Sequence, residues 1–338
     1  MERRSPNIQE VASRAGVSIS TVSRVLNETG YPIRPETRQR VLEAIDALGF
    51  HPSPFARALL GKPTETIGLM IPDISNPYYP LLSKGVEDVA NELGYTVIFC
   101  NTDRSADKAR RYLQVLREKR VDGIIFAGGG HEMDGDADLL GEIRAKVVLI
   151  GRHLWPFPSV QVDNTRAAYE ATVHLIGLGH RRVGFISGPL NLTSALDRLK
   201  GYKMAMEEAG AGVEEPLLRE GDFHYESGYQ AALSLLKGGE LPTAIFASND
   251  RMAMGAVAAA YDLGMRVPEE LAVVGFDDTP SSSYVRPSLT SVSLPSYEMG
   301  ATAARLLSRQ MIGEPTENVV WVPSRLVVRQ SSGGPVNR

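Results

Sequence analysis

Charged and amide side chains follow several short apolar runs in the larger, C-terminal part of this 338-residue chain. Asp73 and Asn76 follow the run that ends at Ile71. Asn249 and Asp277 follow two later runs in the same way. Planar carboxylate, amide and guanidinium groups bind paired hydroxyls, and aromatic rings cover the C–H faces of a polyol. These residue types therefore predict a site for a sugar or a similar ligand, which Tyr78, Tyr79 and Arg198 complete.

Each of these residues also has a purely structural explanation. Asn249 could be only the N-cap of the helix after it, and Asp277 could be only a turn former. Tyr78 and Tyr79 could instead pack between two protomers. We favour ligand binding because such residues recur at the ends of four predicted strands, where ligands of doubly wound sheets bind.

From residue 66 onward, apolar runs alternate with helical patterns, which predicts parallel sheets covered by helices. The runs form two sets, and these predict two lobes with a cleft between them. We expect lobe 1 at about 63–162 and 291–322, and lobe 2 at about 163–290 and 323–330. The predicted strands are 67–71, 96–101, 123–127 and 147–151 in one set, and 182–187, 244–247, 272–276, 319–322 and 325–328 in the other. The predicted helices are 81–93, 106–118, 166–178, 198–209, 225–236 and 252–263.

Apolar residues recur at helical spacing in three places before residue 50, which predicts three short helices. Asn7 can cap the first helix, Gly16 breaks its pattern, and Ser18 can cap the second. Two short helices joined by a tight glycine-containing turn predict a helix-turn-helix. The three stripes are Ile8, Val11, Ala12 and Ala15, then Val22, Val25 and Leu26, and finally Val41, Leu42, Ile45 and Leu48.

The second predicted helix turns a narrow polar stripe outward. Its hydroxyl groups suit phosphates and base edges of DNA, and Arg24 can bind a guanine through two hydrogen bonds. A solvated face of a small helical bundle would explain the same periodicity. Residues 1–62 hold nine Arg or Lys against six Asp or Glu, and the rest holds 27 against 34, so the weak basic excess lies in this segment. The outward residues are Ser20, Thr21, Ser23, Arg24 and Asn27.

The actual residues of this segment resemble the N-terminal signature of the lactose-repressor (LacI/GalR) family. The resemblance covers IQEVASRAGVSISTVSRVLN at 8–27 and continues with PETRQRVLEAI at 35–45. It implies that Ile19 and Ser20 select operator bases at the start of a recognition helix, and that Arg24 contacts a base. Ile19 is apolar, so it offers only van der Waals contact, for example to a thymine methyl. The DNA-contacting residues implied in this head are Ser18, Ile19, Ser20, Thr21, Ser23, Arg24 and Asn27.

Residues 51–62 are predicted to contain a hinge helix between the head (1–50) and the sensor (63–338). Ser53 can cap it, but so short a helix is marginal alone, so its order should depend on a second copy or on DNA. The family resemblance implies that Leu59, supported by Ala56, enters the minor groove. A plain linker in which Leu59 packs on the domain below is the alternative. Ser53 stands where the family usually has Asn.

The resemblance extends to the sensor and implies an α/β fold, with a two-lobed, doubly wound domain like the periplasmic binding proteins. It assigns the effector to Asp73, Tyr78, Tyr79, Arg198, Asn249 and Asp277, with Phe223 as a further aromatic contact. Many relatives carry an acid after the fourth strand, whereas this chain has Gly151 and Arg152. We include Arg152 as an effector contact, since a cation there leaves room for an acidic or phosphorylated effector.

Other classes of protein fit the sequence less well. Cys100 is the sole cysteine, so no disulfide framework exists, and no close cluster of His, Cys or acids suggests a metal or a cofactor. Asp277 and Asp278 are adjacent, and neighbours on one loop rarely converge on one atom, which argues against an enzyme. A periplasmic-type solute-binding protein is the remaining alternative, but it would need a signal peptide and no head.

The expected protein is therefore a cytoplasmic transcription regulator, most simply a repressor, without a membrane segment. Its expected partners are a palindromic operator in double-stranded DNA, a small-molecule effector such as a carbohydrate, and a second copy of itself. Candidate dimer segments are 79–93 and 281–284.

Overall fold

The computed structural model describes residues 6–27, 32–50, 63–128, 145–153, 155–237 and 241–333. The chain divides into two compact units, Met1–Thr64 and Glu65–Arg338. Within these described ranges, three helices form the smaller unit, and two six-stranded sheets with their covering helices form the larger one. No helix in this part of the chain combines the length and the apolar character needed to cross a bilayer.

The first helix, α1 (Ile8–Ala15), begins at a reciprocal capping box. The Asn7 side chain accepts the Glu10 N–H at 3.0 Å, and the Glu10 carboxylate accepts the Asn7 N–H at 3.1 Å. Gly16 follows with φ of 64°, a left-handed conformation that glycine adopts without a Cβ penalty. The chain thereby turns sharply into α2 (Ile19–Asn27), which Ser18 caps by accepting the Thr21 N–H at 3.2 Å.

The three helices close a small core, with α3 (Pro35–Leu48) packed against the first two. Val11, Val22 and Val41 supply one fully buried side chain each from α1, α2 and α3. The predicted stripe of α3 is wrong at Leu42, which is 44% exposed, while Ala44 is buried instead. The other buried apolar residues of this core are Ala12, Ala15, Val25 and Phe50.

The first lobe of the larger unit contains a wholly parallel sheet. Its strands are β1 (Thr66–Ile71), β2 (Thr96–Asn101), β3 (Gly123–Ala127), β4 (Lys146–Ile150), β5 (Ser159–Gln161) and β11 (Val319–Trp321). They lie in the order β11–β5–β4–β3–β1–β2. β3 is buried along its whole length, as expected for a sheet covered on both faces.

The second lobe contains the other sheet. Its strands are β6 (Val183–Ser187), β7 (Leu218–Glu220), β8 (Ala244–Ala247), β9 (Ala272–Asp277), β10 (Thr290–Ser293) and β12 (Arg325–Val327). Their order is β12–β10–β9–β8–β6–β7, and every pair is parallel except β12 with β10.

Helices cover the sheets in both lobes. Prominent helix pairs are α4 with α11 in the first lobe, and α6 with α7 and α8 with α9 in the second. Their bounds are α4 (Tyr78–Glu92), α5 (Ala106–Lys119), α6 (Asn164–Gly177), α7 (Thr193–Glu208), α8 (Tyr225–Leu236), α9 (Asp250–Asp262), α10 (Ser281–Tyr284) and α11 (Ser296–Met311).

The sequence-based assignment of strands to lobes needs two corrections. The sequence pattern predicts the run at 319–322 in the second lobe. This run forms β11, which pairs with β5 in the sheet of the first lobe. The chain was expected to return to the first lobe near 291, but β10 pairs with β9, so the return follows Ser293. The sequence analysis does not predict the short strands β5, β7 and β10 or the helices α10 and α11.

Candidate functional site

A pocket lies at the carboxyl ends of the parallel strands of both lobes. The structure brings seven of the nine predicted effector residues to this pocket: Asn76, Tyr78, Tyr79, Arg198, Phe223, Asn249 and Asp277. It also places there polar and apolar residues that sequence reasoning did not assign to a ligand, among them Arg104, Asn164, Leu192, Ser194 and Met299.

Arg198 on α7 is the most firmly held polar residue of the pocket. Its Nε donates to Asn164 Oδ1 at 2.9 Å, and another guanidinium N–H donates to the carbonyl oxygen of Ser248. The guanidinium carbon lies 3.7 Å from the centroid of the Phe276 ring. Because the side chain is 9% exposed and fixed from three directions, its position is set before any ligand arrives.

Asp277 ends β9 and faces Arg198, with Oδ1 3.8 Å from its nearest guanidinium nitrogen. This distance is long for an ion pair, and the carboxyl group is 7% exposed. Burial raises the pKa of Asp277 to about 8, although Arg198 opposes the rise. At neutral pH the group is therefore largely protonated and able both to donate and to accept a hydrogen bond.

Asn249 has the structural role considered for it and also lines the pocket. Its Oδ1 caps α9 by accepting the Met252 N–H at 2.9 Å, and its Nδ2 donates to the Phe223 carbonyl at 3.0 Å. The Asn249 side chain therefore fixes the backbone of Phe223. Gly188 makes room for the same ring, since a Cβ there would lie 2.0 Å from a Phe223 ring carbon.

The loop after β1 supplies the amide of Asn76, and the first turn of α4 supplies Tyr78 and Tyr79. Asn76 accepts the Tyr78 N–H at 3.1 Å, and the rings of Tyr78 and Tyr79 meet edge to face at 5.0 Å. The Tyr78 hydroxyl donates to the Met299 sulfur at 3.5 Å, and burial raises the pKa of that hydroxyl. These residues form an apolar wall whose polar groups are mostly engaged, which suits the C–H face of a ring-shaped ligand.

Arg104 is the pocket residue that the sequence reasoning missed most clearly. It follows β2, and the pair Asp103–Arg104 is left-handed, with φ of 51° and 55°. Phe223 and Asp277, which also line the pocket, share this conformation at 69° and 107°. Non-glycine residues seldom adopt it, and it concentrates at binding sites, where surrounding structure offsets its cost.

Asp73 is in a different place from the one predicted. Its carboxylate accepts two bonds from Ser75 and forms an ion pair with Arg251 on α9, at 2.9 Å. It is absent from the residues that line the pocket, and its direct contact with a ligand stays a prediction. Because Asp73 belongs to the first lobe and Arg251 to the second, the pair joins the two lobes.

Arg152 likewise does not line the pocket. Its guanidinium forms two parallel hydrogen bonds to Asp197 on α7, at 2.8 and 2.7 Å, and Thr193 Oγ1 donates to its carbonyl. The cation predicted for the ligand is therefore neutralised by an acid of the opposite lobe. Sequence spacing gave no sign of this pairing, since the partners are 45 positions apart.

The helix-turn-helix displays the polar face expected of it. Ser18, Ile19, Ser20 and Arg24 are exposed, and Ile19 leaves 44% of its surface in solvent. The Ser18 hydroxyl hydrogen-bonds those of Ser20 at 2.8 Å and Thr21 at 2.9 Å. Thr21 and Ser23 are half-buried beside this group, and Asn27 is the last residue of α2. The hinge predictions Ser53, Ala56 and Leu59 fall outside the described residues.

Comparison with known proteins identifies both units. Residues 7–53 match the family model described as bacterial regulatory proteins, lacI family, and residues 172–332 match a periplasmic binding protein-like domain. Catabolite control protein A of Priestia megaterium is 42% identical over 330 residues, which cover 96% of this chain and 98% of that protein. The chain belongs to the lacI family.

Solved structures agree with this membership. A transcriptional regulator CelR–cellobiose complex is 33% identical, with a TM-score of 0.74 over 96% of this chain and 99% of that one. The lac repressor dimer bound to operator and the anti-inducer ONPF is 27% identical, with a TM-score of 0.85 over 97% of this chain and 99% of that one.

This lacI-family chain is accordingly a DNA-binding transcription regulator with an effector-binding domain, and not an enzyme. The polar groups of the pocket serve binding rather than bond making. Across the described residues, no three His, Cys, Asp or Glu side chains are arranged to hold a metal ion.

Proposed function

We propose that this regulator is a repressor that binds a palindromic operator as a homodimer in the cytoplasm, and that a carbohydrate in the pocket changes its affinity for that DNA. One observation carries the effector part of the proposal. Two arginines, a carboxyl group whose pKa is raised by burial, three amides and three aromatic rings line the pocket between the strand ends of the two lobes. The likeness to a regulator solved with cellobiose supports the same ligand class.

Operator recognition is assigned to α2. Ser20 and Arg24 are exposed on one face of it, and Arg24 is assigned to a guanine edge in the major groove. Ile19 contributes van der Waals contact, and the hydroxyls of Ser18, Thr21 and Ser23 with the Asn27 amide position the helix on phosphates. The structural match to the lac repressor bound to operator supports this assignment.

The hinge is proposed at 51–62, between a head at 1–50 and a sensor at 63–338. In this proposal Ser53 begins the hinge helix, and Leu59, supported by Ala56, enters the minor groove of the operator. Because a helix of this length is marginal by itself, its order depends on its partner hinge and on DNA. That dependence gives the sensor a means of controlling the head.

Self-association is proposed through the second lobe. Tyr261 and Tyr284 are each 81% exposed, and Tyr261 lines an apolar groove together with Met254 and Val285. Exposed apolar surface of this kind marks association sites. The other candidate segment is 79–93. Leu81 and Leu93 are exposed there and suit an interface, whereas Tyr79 is buried in the pocket. The likeness to the lac repressor structure, itself a dimer, supports self-association.

Effector and DNA are coupled through the two lobes. Asp73–Arg251 and Arg152–Asp197 join the lobes in the state described here. A ligand that fits only one arrangement of the lobes shifts the population toward it, and DNA affinity changes by the ligand's preference for that arrangement.

Fluorescence anisotropy with a DNA library and the full chain tests the proposal. After an operator has been selected, a panel of sugars should alter its affinity, and Leu59→Ala should weaken operator binding while leaving sugar affinity within about twofold. If Leu59→Ala weakens operator binding and sugar binding equally, Leu59 is a core residue and not a DNA contact. If the library yields no palindromic sequence, the operator proposal is rejected.

A further inference from the structure

Asp250 is a fully buried acid close to the pocket, but it is absent from the residues that line the pocket. It is the first residue of α9 and directly follows Asn249, which does line the pocket. A carboxylate that leaves water is costly unless its oxygens accept hydrogen bonds. The surroundings of Asp250 therefore have to supply donors.

Four donors from three segments of the second lobe converge on this carboxylate. One oxygen accepts the Thr279 N–H at 2.7 Å, the Thr279 hydroxyl at 3.2 Å and the Ser282 hydroxyl at 2.6 Å. The other oxygen accepts the hydroxyl of Ser291 on β10. Gly275 on β9 permits this close packing, because a Cβ there would lie 2.5 Å from that second oxygen. Burial raises the pKa of Asp250 to about 6 although the donors oppose the rise, so the group is ionised at neutral pH.

The same contacts hold the turn that ends β9. Asp277 and Asp278 are both left-handed, with φ of 107° and 55°, a conformation that is costly for residues other than glycine. The Ser291 oxygen accepts the Asp278 N–H at 3.1 Å, and the Ser291 hydroxyl donates to Asp250. Ser291 thus links the buried carboxylate to the backbone of the strained pair.

The turn directs its two acids to different places. The Asp278 carboxylate pairs with Arg329 of the C-terminal segment at 2.7 Å. The Asp277 carboxyl group lines the pocket and faces Arg198. Because the direction of a side chain follows the backbone angles of its residue, loss of the left-handed conformation would move the Asp277 carboxyl group from this position.

We propose that Asp250 is a positioning residue for the effector site, which holds the left-handed turn that presents the Asp277 carboxyl group to the ligand. Asp250 acts through Ser291 and does not touch the ligand itself. The inference rests on the proposed function, since it takes the pocket as the effector site. A binding group makes a precise contact only when the residues behind it fix its position.

The proton of Asp277 reports on the turn without any ligand. Burial raises the pKa of Asp277 to about 8, so stability falls as pH rises from 7 to 8. A loosened turn exposes the carboxyl group to water and lowers that pKa, and the fall in stability then becomes smaller. The charged and titratable groups that face Asp277 are Arg198 on α7, Arg104 after β2, Tyr78 on α4 and Asp250 on α9.

Chemical denaturation of the full chain at pH 7 and pH 8 tests the inference with two variants. Asp250→Asn removes the buried charge, whereas Ser291→Ala removes the link to the turn and leaves the charge in place. Each should reduce the difference in unfolding free energy between the two pH values about threefold, the change expected if Asp277 binds its proton about tenfold less tightly. A role in stability alone would lower the unfolding free energy equally at both pH values.

Tyr202→Phe is the matched control, because it removes another buried hydrogen bond of the second lobe. The Tyr202 hydroxyl donates to the Val183 carbonyl at 2.7 Å, and Tyr202 is fully buried outside the pocket. This variant should be less stable than the parent, with an unchanged pH dependence.

Three results of the denaturation experiment would overturn the inference. An unchanged pH dependence in both test variants would show that the turn does not rely on Asp250. A change in Asp250→Asn alone would show only the loss of a nearby charge. A similar change in Tyr202→Phe would show that any loss of stability has this effect. If Asp250→Asn does not fold, Ser291→Ala decides the matter.

Isothermal titration calorimetry of the same proteins with cellobiose, ribose and glucose measures the consequence for binding. A sugar that binds the parent should bind Asp250→Asn and Ser291→Ala about tenfold more weakly, and Tyr202→Phe within about twofold of the parent. Equal affinity in all four proteins would reject the inference and leave the sugar-responsive regulator standing. If none of the three sugars binds the parent at millimolar concentration, the proposed function is weakened, and the denaturation result alone decides whether Asp250 positions Asp277.

Discussion

The helix-turn-helix and the ligand pocket assemble their functional residues in opposite ways. The head takes its candidate DNA contacts from one stretch of ten residues. Four of them, Ser18 at the cap and three on α2, are exposed, whereas the opposite face of α2 packs in the core. The pocket takes its residues from positions 76 to 299, and most are buried and hydrogen-bonded to the scaffold. Function and stability are therefore separable in the head and combined in the pocket.

The largest expected effect comes from removing Arg198. Arg198→Ala leaves Asn164 and the Ser248 carbonyl without a buried donor and uncovers the Phe276 ring. We expect the free energy of unfolding of the larger unit to fall by about 3 kcal/mol, the lower end for a broken buried ion pair, since Asp277 is already largely neutral. Chemical denaturation measures it.

The matched control for that change is Arg166→Ala. Arg166 is an arginine of the adjacent helix α6 whose side chain is 76% exposed and pairs only with Glu170 in the described contacts. Its loss should cost less than about 0.5 kcal/mol. Similar losses at the two positions would contradict the view that the pocket arginine is part of the scaffold.

The second effect is a dependence of stability on pH. Folding raises the pKa of Asp277 from its ordinary value near 4 to about 8. Between these two pH values the folded state therefore binds more protons than the unfolded state. Stability therefore falls as pH rises through this window, by up to about 1.4 kcal/mol per pH unit. Asp250, with a pKa raised to about 6, and the buried His153, with one lowered to about 4, act mainly below pH 6.5.

The diagnostic range is thus pH 6.5 to 8, where thermal unfolding followed by circular dichroism should show the slope. Asp277→Asn should flatten it, because the amide does not titrate. A slope that survives in Asp277→Asn would mean that another group titrates in this range.

The third effect tests the head. Arg24→Ala should weaken operator binding by about 1–3 kcal/mol, the contribution of a good contact between arginine and a base, while the unfolding free energy stays within about 0.5 kcal/mol of the parent. Anisotropy and denaturation give the two values. A parallel loss of stability would show that α2 does not separate its recognition face from its core face.

The smallest effect concerns the ion pairs between the lobes. A double-mutant cycle on Arg152 and Asp197 should give about 0.5 kcal/mol, because Arg152 is 42% exposed and water screens the pair. The same cycle on Asp73 and Arg251, whose side chains are 14% and 9% exposed, should give more. The reverse order would show that the bidentate geometry of Arg152 outweighs its exposure.

The same contrast explains what the sequence could predict. The caps at Asn7 and Ser18 and the helix over Tyr225–Leu236 follow from local patterns, and the structure confirms them. Seven pocket residues were also found, some from their positions just after predicted strands and the others from the family resemblance. Asp73 sits at a strand end too, but its partner Arg251 is 178 positions away, and no local pattern announces such a pair.

Arg104 was missed for a related reason. Two consecutive left-handed residues redirect the loop after β2, and although Asp is enriched in this conformation, Arg is not, so the residue types do not indicate a left-handed pair. The direction of a loop side chain depends on backbone angles that tertiary contacts impose. Strand ends can be located from sequence, but the loops beyond them cannot be oriented.

The hydrogen-bonded hydroxyls of Ser18, Ser20 and Thr21 affect how many different operators, and so how many genes, the protein can recognise. A hydroxyl changes from donor to acceptor by rotating one hydrogen, without moving a heavy atom. If Ser20 faces a base pair, as proposed, that base pair can therefore vary between operators at little cost in affinity. The guanidinium of Arg24 has only donors, so the base pair it faces should be the most constant one when many operators are compared.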